Sequence, residues 1–206
     1  MPFPAGNPMP RPPLVLASTS QGRRDVLAGA GLDFVALAPG VDEDVVKRAL
    51  GPVDAATLAL VLAERKALAI SARHPDALTI GGDQTLACEG RLFDKPPSLD
   101  EARRHLLALR GRVHVLHSAI CVARDGEILW RHVSDARLTM RAFGDAFLDR
   151  YVETCGETLL GSIGAYRLEG PGSQLFDAIE GDYFTILGLP LLPLLAFLRD
   201  IGALES

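Results

Sequence analysis

The chain has 206 residues, of which 48% are hydrophobic and 23% charged, and this composition predicts a compact globular protein with one domain or two small lobes. Its 21 Lys and Arg against 26 Asp and Glu give a formal net charge of -5, which excludes a broad cationic surface, so we expect no nucleic-acid partner. Small anions are not excluded, because a few Arg and Lys side chains can hold one in a pocket whatever the total charge.

The ends and the cysteines indicate where the protein acts. Residues 1–13 are rich in proline and have no charged and apolar leader pattern, so we expect a flexible lead-in ahead of a single domain over residues 14–206. The longest apolar run, Leu187–Leu198, is too short to span a bilayer, and no membrane partner is expected. The three cysteines are scattered and odd in number, which favours reduced thiols and a cytoplasmic location.

The first half of the chain alternates strand and helix patterns. The predicted elements are, in order, a strand at Leu14–Ala17, a polar turn at Ser18–Arg24, a helix at Asp25–Gly31, a strand at Phe34–Leu37, a long helix from Asp54 to about Arg73, and a strand at Ala77–Ile80 that ends at Gly81-Gly82-Asp83-Gln84.

The second half adds a hairpin and more helices. Ser98 and Glu101 form a capping-box pattern ahead of a helix, and Asp125-Gly126 is a strong hairpin signal. The predicted elements are a helix at Arg103–Arg110, strands at Val113–Val122 and Ile128–Met140, a helix at Asp145–Thr154, a strand at Asp182–Leu187 and a helix at Pro190–Ile201. This order predicts an α/β or α+β fold with a mixed sheet.

The segment Ser18–Arg24 is the first candidate site, since common phosphate-loop, dinucleotide and hydrolase motifs are missing from the sequence. A strand that enters a helix through hydroxyl residues presents free backbone N–H groups, and Arg23 and Arg24 add charged donors. This pattern suits a phosphate group. It is equally typical of an ordinary helix cap with two solvated arginines.

Asp83 is the second candidate. It follows an apolar strand and two glycines, at the kind of sheet edge where ligands bind in open α/β folds, and it could hold a metal or activate water. Glu43, in an acidic stretch after Pro39-Gly40, is a candidate partner carboxylate for Mg²⁺. A turn aspartate and a solvated acidic face remain the alternatives.

Lys66 and Lys95 are the third candidates. Lys66 lies in the long predicted helix, and Lys95 precedes Pro96-Pro97. Either side chain could reach polyphosphate oxygens, and either could simply be solvated.

Seven short segments occur together in an order that resembles the Maf family. They are Ser18–Arg24, Gly82-Asp83-Gln84, Lys95-Pro96, Leu109–His114, Gly164-Ala165-Tyr166, Glu169-Gly170 and Gly188–Leu191. The resemblance extends from about Leu14 to Arg199. It implies an α/β fold similar to that of inosine triphosphatases, with a mixed, elongated sheet flanked by helices and two lobes around a cleft.

The resemblance also implies an activity and a set of site residues. Members of the family are nucleoside triphosphate pyrophosphatases that cleave the α–β bond with Mg²⁺ or Mn²⁺, and they are commonly dimers, so a homodimer is among the expectations. Asp83 matches the proton acceptor and a metal ligand, and Glu43 matches a metal-holding carboxylate. The substrate-binding positions implied or suggested by the pattern are Ser18, Ser20, Arg23, Arg24, Lys66, Gln84, Lys95 and Glu169.

Three positions bear on the substrate. In the branch that acts on dTTP and UTP, the places of Gly22, Gln84 and Glu169 are normally Arg, Thr and Gln. Gln84 and Glu169 resemble the branch that acts on 7-methyl-GTP, although that branch often has Trp where this chain has Gly22. We therefore expect 7-methyl-GTP or another modified nucleotide as substrate. The alternatives are a dTTP/UTP pyrophosphatase and a non-catalytic nucleotide-binding regulator of septum formation.

Overall fold

The structure, a computed structural model, describes residues 12–205. The predicted lead-in at residues 1–13 therefore lies almost entirely outside the described residues. The seven strands are β1 (Leu14–Ala17), β2 (Phe34–Ala36), β3 (Leu78–Cys88), β4 (Arg91–Phe93), β5 (Val113–Arg124), β6 (Glu127–Met140) and β7 (Phe176–Glu180). The helices are α1 (Gln21–Gly29), α2 (Glu43–Leu50), α3 (Ala55–Ser71), α4 (Leu99–Leu109), α5 (Asp145–Cys155), α6 (Tyr183–Ile186) and α7 (Leu191–Asp200).

One mixed sheet carries all seven strands, which confirms the predicted fold class. Its order is β2-β1-β3-β5-β6-β7, and β4 pairs with β3. Strand β1 is parallel to β2 and β3, and the remaining pairs are antiparallel. The hairpin predicted at Asp125-Gly126 joins β5 to β6, and both turn residues have the positive φ that such a two-residue turn requires.

Several helices begin where short polar side chains cap them. Ser20, Asp54 and Ser98 accept hydrogen bonds from the backbone N–H three residues on, at the first turns of α1, α3 and α4. These caps are local in sequence. They explain why α1 and α4 begin at Gln21 and Leu99, four residues before the predicted starts at Asp25 and Arg103, whereas α3 lies close to its predicted position and ends a little earlier.

The structure differs from the predicted elements in four places. The segment Asp182–Leu187 is not a strand: Asp182 accepts a hydrogen bond from Thr185 N at 2.8 Å and caps the short helix α6. Strand β7, which pairs with β6, and helix α2 were not predicted at all. Strand β3 is much longer than the predicted Ala77–Ile80, because residues 81–87, with the polar Asp83, Gln84 and Thr85 among them, continue the pairing with β5.

The apolar core is divided into two main clusters along the long strands. Ile80 belongs to the cluster around β1, α1 and α7, whereas Leu86 belongs to the cluster around α4, α5 and β6. Asp83 lies midway between these two residues on β3. The division into two packed regions leaves the polar middle of β3 between them.

Candidate active site

The candidate site opens at a gap along one edge of β3. Strand β1 pairs with β3 as far as Gly81, and β4 pairs with it from Leu86 onward. Strand β5 occupies the other edge throughout. Residues 82–85 therefore lie where β1 has ended and β4 has not begun, and a cleft of about 1060 Å³ opens there, lined by Asp83, Gln84 and Thr85 among others. The prediction that Asp83 follows a strand is therefore wrong, because Asp83 lies inside β3. It does lie beside the carboxyl end of a strand, but that strand is β1.

Helix α3 lies close to β3 because small residues face the sheet. Ala59, Ala63 and Ala67 are fully buried. A Cβ atom at Gly81 would lie only 2.2 Å from the Ala63 carbonyl oxygen, so only glycine fits there. This close approach brings Lys66 of α3 next to Asp83.

Lys66 lies between two carboxylates. Its Nζ is 2.5 Å from Asp83 Oδ1 and 2.6 Å from Glu43 Oε1. Lys66 and Asp83 are 7% and 6% exposed, whereas Glu43, at the N-terminus of α2, is half-exposed. Burial raises the pKa of the Asp83 carboxyl, and the positive charges of Lys66 and Arg23 oppose this shift. The arrangement presents a carboxylate that is held in place and accessible from the cleft.

Arg23 crosses the face of β3 opposite this pair. Its Nε donates to Gly188 O at 2.8 Å, and its Nη1 donates to Ser18 Oγ at 3.2 Å. A Cβ at Gly82 would lie 3.1 Å from Arg23 Nε, so the second glycine leaves room for the guanidinium. Burial lowers the pKa of Arg23, and the charges of Asp83 and Glu43 raise it.

Lys95 lies at the exposed rim of the same cleft. Partial desolvation of its ammonium group lowers its pKa, and repulsion from Arg23 adds to this shift. Among the described residues, neither Arg23 nor Lys95 has a carboxylate within ion-pair distance, whereas Lys66, Lys47 and Arg167 are paired. Arg23 and Lys95 are therefore the cleft cations that an incoming phosphate can meet without breaking an ion pair.

The cleft as a whole is electrically balanced. The described lining residues include five Lys or Arg side chains and five Asp or Glu side chains. A polyphosphate carries several negative charges, so the cleft does not neutralise one by formal charge alone. Within the described part of the chain, no group of three or more His, Cys, Asp and Glu side chains could hold a metal ion.

Gln84 is held by its amide nitrogen. Nε2 shares its two hydrogens among three acceptors, which are Ser118 Oγ at 2.7 Å, Thr185 O at 3.0 Å and Ile186 O at 3.1 Å. Two of these acceptors are carbonyl oxygens, which fixes the orientation of the amide. Gln84 lines the cleft, and its Oε1 is the amide atom left to accept from a ligand.

The remaining predicted site residues divide into two groups. Ser18, Ser20 and Glu169 line the cleft together with the residues above, and Glu169 accepts a hydrogen bond from Arg167 Nε at 2.7 Å. Arg24 is not among the lining residues, because its Nη2 turns back to Thr19 O at 2.7 Å. The structure thus brings nine of the ten nominated residues to one cleft, and Arg24 is the exception.

Sequence reasoning missed Ser118, Lys47 and the 182–188 segment. Ser118 is an isolated hydroxyl in an apolar strand, and Thr185 to Gly188 contribute through backbone carbonyls. Carbonyl contacts leave no signal in the residue types. The side chain of Lys47 lines the cleft and pairs with Asp94 at 2.8 Å, and its position on an exposed helix carried no motif.

Comparison of the sequence with known proteins identifies the family of this chain. The profile described as "Maf-like protein" matches residues 13–201. The chain is similar to a protein of Caulobacter vibrioides named nucleoside triphosphate pyrophosphatase, with 57% identity over 93% of this chain and 97% of that protein. It is 50% identical to a 7-methyl-GTP pyrophosphatase of Rhizobium meliloti, over 95% of this chain and 100% of that protein. A 7-methyl-GTP pyrophosphatase of Mesorhizobium japonicum is also 50% identical, over 94% and 98% of the two chains. On the extent of the profile match and of these identities, the chain belongs to the Maf-like protein family.

Proposed function

We propose that this chain is a nucleoside triphosphate pyrophosphatase, a hydrolase acting on acid anhydrides, that converts a nucleoside triphosphate and water to the monophosphate and pyrophosphate. The observation that carries the proposal is the buried Asp83 carboxylate, held by Lys66 and facing a cleft in which Arg23 and Lys95 have no carboxylate partner among the described residues. The names of the relatives support the same reaction.

A divalent cation, Mg²⁺ or Mn²⁺, fits the residues present. Both ions prefer oxygen ligands, and Mg²⁺ is usually held by one or two carboxylates together with substrate phosphates. Glu43 and Asp83 supply two carboxylates that converge on the Lys66 ammonium, and the charge balance of the cleft leaves a triphosphate in need of further positive charge. When bound, the cation would neutralise charge on the phosphate oxygens.

The residues of the chain then have separate tasks. Arg23 and Lys95 bind the phosphate oxygens and orient the chain of phosphates, with Ser18 and Ser20 offering hydroxyls beside them. Asp83 accepts a proton from the attacking water as that water forms a bond to the α-phosphorus. The bond from the α-phosphorus to the bridging oxygen breaks, and that oxygen leaves with the pyrophosphate. Lys66 holds the Asp83 carboxylate in its position and stabilises its negative charge.

We propose 7-methyl-GTP as the substrate class. With Nε2 of Gln84 engaged by the protein, the amide offers the cleft an acceptor, Oε1. Glu169 adds a carboxylate, of which Oε1 already accepts from Arg167 Nε. Acceptors suit the N–H groups on the guanine edge, and a carboxylate also suits the positive charge of a methylated guanine. No aromatic platform stands at Gly22, where a Cβ would lie 3.2 Å from the Leu187 carbonyl oxygen. Two of the relatives are named for this substrate.

Other parts of the proposal concern context. We propose that residues 14–206 form one catalytic domain that acts in the cytoplasm as a homodimer, without a nucleic-acid partner. The described helices include none long and apolar enough to cross a membrane. Cys88, Cys121 and Cys155 are free thiols, in keeping with a reducing compartment.

A panel assay tests the function and the substrate together. The purified chain is incubated with Mg²⁺ or Mn²⁺ and with 7-methyl-GTP, GTP, dTTP or UTP, and pyrophosphate and orthophosphate are measured separately. We expect pyrophosphate as the first product and the highest kcat/KM for 7-methyl-GTP. Orthophosphate as the first product would refute the reaction, and a preference for dTTP or UTP would refute the substrate. The variant Glu169→Gln should lower kcat/KM for 7-methyl-GTP more than for dTTP.

A further inference from the structure

Ser118 is a buried hydroxyl next to the cleft that does not line it. It lies in β5, is 0% exposed, and faces the C-terminal end of α6. Its Oγ donates to Thr185 O at 2.7 Å and accepts from Gln84 Nε2 at the same distance. The hydroxyl therefore both donates and accepts a hydrogen bond inside the protein.

Gln84 and Ser118 together hold the backbone at the C-terminal end of α6, which leads directly into Leu187 and Gly188. Gln84 Nε2 also donates to the carbonyl oxygens of Thr185 and Ile186. Ser118 and Gln84 therefore attach this backbone to two neighbouring central strands, β5 and β3. The Ser118–Thr185 hydrogen bond is buried and those of Gln84 are partly buried, which favours a single position of the backbone.

The same backbone ends at the carbonyl that orients Arg23. Gly188 O accepts from Arg23 Nε at 2.8 Å, and Ser18 Oγ accepts from Nη1 on the other side. Among the described residues no carboxylate forms an ion pair with Arg23, so two neutral acceptors determine the plane of its guanidinium. A shift of the 185–188 backbone therefore moves Arg23.

We infer that Ser118 is a positioning residue for the triphosphate: through Gln84 and the 185–188 backbone it sets the Gly188 carbonyl, and thereby the direction in which Arg23 presents its N–H groups to the cleft. The inference rests on the proposed function, because Arg23 is taken as a phosphate ligand. It assigns Ser118 no contact with the substrate.

A double-mutant cycle tests this role. The variants are Ser118→Ala, Arg23→Lys and the two combined, assayed for kcat and KM with the best triphosphate. Lys lacks the Nε–H that Gly188 O accepts. We expect Ser118→Ala to lower kcat/KM by about tenfold, which corresponds to the loss of one buried hydrogen bond. The change should appear in whichever of kcat and KM is also changed by Arg23→Lys. In the Arg23→Lys background the same change should cost less than about twofold.

Ser134→Ala is the matched control. Ser134 lies directly opposite Ser118 on β6, and its hydroxyl pairs with His132 Nε2 and not with the 185–188 backbone. It should leave kcat/KM within about twofold in both backgrounds. If Ser118→Ala destabilises the fold, Ser118→Cys fills the same space with a weak donor and should give the same loss.

The outcomes separate the inference from the function on which it rests. Equal losses from Ser118→Ala in both backgrounds, or a change in a different parameter from that of Arg23→Lys, would overturn the role of Ser118 and leave the pyrophosphatase activity standing. Calorimetric binding of inorganic pyrophosphate with Mg²⁺ provides the readout without turnover, and we expect Ser118→Ala to weaken it. A wild-type chain that neither binds pyrophosphate nor hydrolyses a triphosphate would overturn both proposals.

Discussion

The ammonium nitrogen of Lys66 lies 2.5 Å from Oδ1 of Asp83, and both side chains are almost completely buried. Lys66 belongs to α3 and Asp83 to the strand that follows it, so the chain turns back on itself to bring them together. A buried ion pair of this kind offers little stability, because desolvation offsets the attraction. We interpret it as the arrangement that orients a reactive carboxylate inside the cleft and opposes the rise in its pKa that burial causes.

Replacement of Asp83 by Asn should nearly abolish pyrophosphate release. Asn has the same shape but cannot accept the proton from water, and general-base catalysis contributes roughly 10²–10⁴-fold. The measurement is kcat/KM for the preferred triphosphate, accompanied by a thermal melt. The exposed Asp76, in the turn before β3, provides the matched control, because Asp76→Asn leaves the cleft unchanged. Retention of more than about a tenth of the wild-type rate by Asp83→Asn would show that another group takes the proton.

Removal of the divalent cation should stop the reaction, and Glu43→Gln should weaken the response to it. A chelator is expected to abolish pyrophosphate release, and added Mg²⁺ or Mn²⁺ to restore it. Glu43 is half-exposed at the start of α2, so its replacement should leave the fold intact. We expect the Mg²⁺ concentration for half-maximal activity to rise by about tenfold, since one of two carboxylates is lost. The control Glu127→Gln, at the β5–β6 hairpin, should not change this Mg²⁺ concentration. If Glu43→Gln also left the concentration unchanged, Glu43 would not be a ligand of the metal.

The two glycines before Asp83 should respond differently to Ala. At Gly81 the new Cβ would meet the Ala63 carbonyl oxygen at 2.2 Å, so we expect a loss of about 1–3 kcal/mol in the free energy of unfolding. At Gly82 it would meet the Arg23 side chain, and not backbone, at 3.1 Å and displace the guanidinium, so kcat/KM should fall while the Tm stays within a few degrees. Denaturant titration and steady-state kinetics distinguish the two effects. Gly29→Ala, where the Cβ enters open space at the end of α1, should not destabilise the protein. Equal effects of the two central substitutions on the Tm would contradict the contrast.

Acid should destabilise the protein in part through His114. This side chain is fully buried beside Tyr166, and burial lowers its pKa to about 4. The unfolded chain binds a proton near pH 6.5 and the folded chain only near pH 4, so stability is complete above the higher value and decreases as the pH falls between them. The contribution is roughly 3 kcal/mol. His114→Gln should flatten the dependence of unfolding free energy on pH in this range without abolishing it, because burial also lowers the pKa of His105 and His132.

The control for this prediction is His74→Gln. His74 is exposed in the turn after α3, so its replacement should leave the slope of stability against pH unchanged. Unfolding free energies from denaturant titrations at several pH values provide the measurement. An identical slope in wild type and His114→Gln would show that the buried histidine does not contribute.

Local sequence patterns determined much of the fold. The Asp125-Gly126 turn, the Ser98 cap and the Ser20 cap depend on residues within a few positions of each other, so they could be predicted without knowledge of the rest of the chain. The order of the short motifs, which resembles that of the Maf family, indicated Asp83, Glu43, Arg23 and Lys95 as site residues. All four line the cleft.

What the tertiary structure alone decided depends on contacts between distant segments. Strand β7 forms because β6 offers it an edge, and the apolar Asp182–Leu187 segment becomes a helix because its cap competes successfully with pairing. Arg24 turns to a backbone carbonyl instead of the cleft, and the amide of Gln84 is fixed by carbonyls about a hundred residues away in sequence. The equal numbers of positive and negative side chains in the cleft could also be recognised only from the tertiary structure. The net charge of -5 describes the whole chain, whereas a binding site depends on the few side chains that the fold brings together.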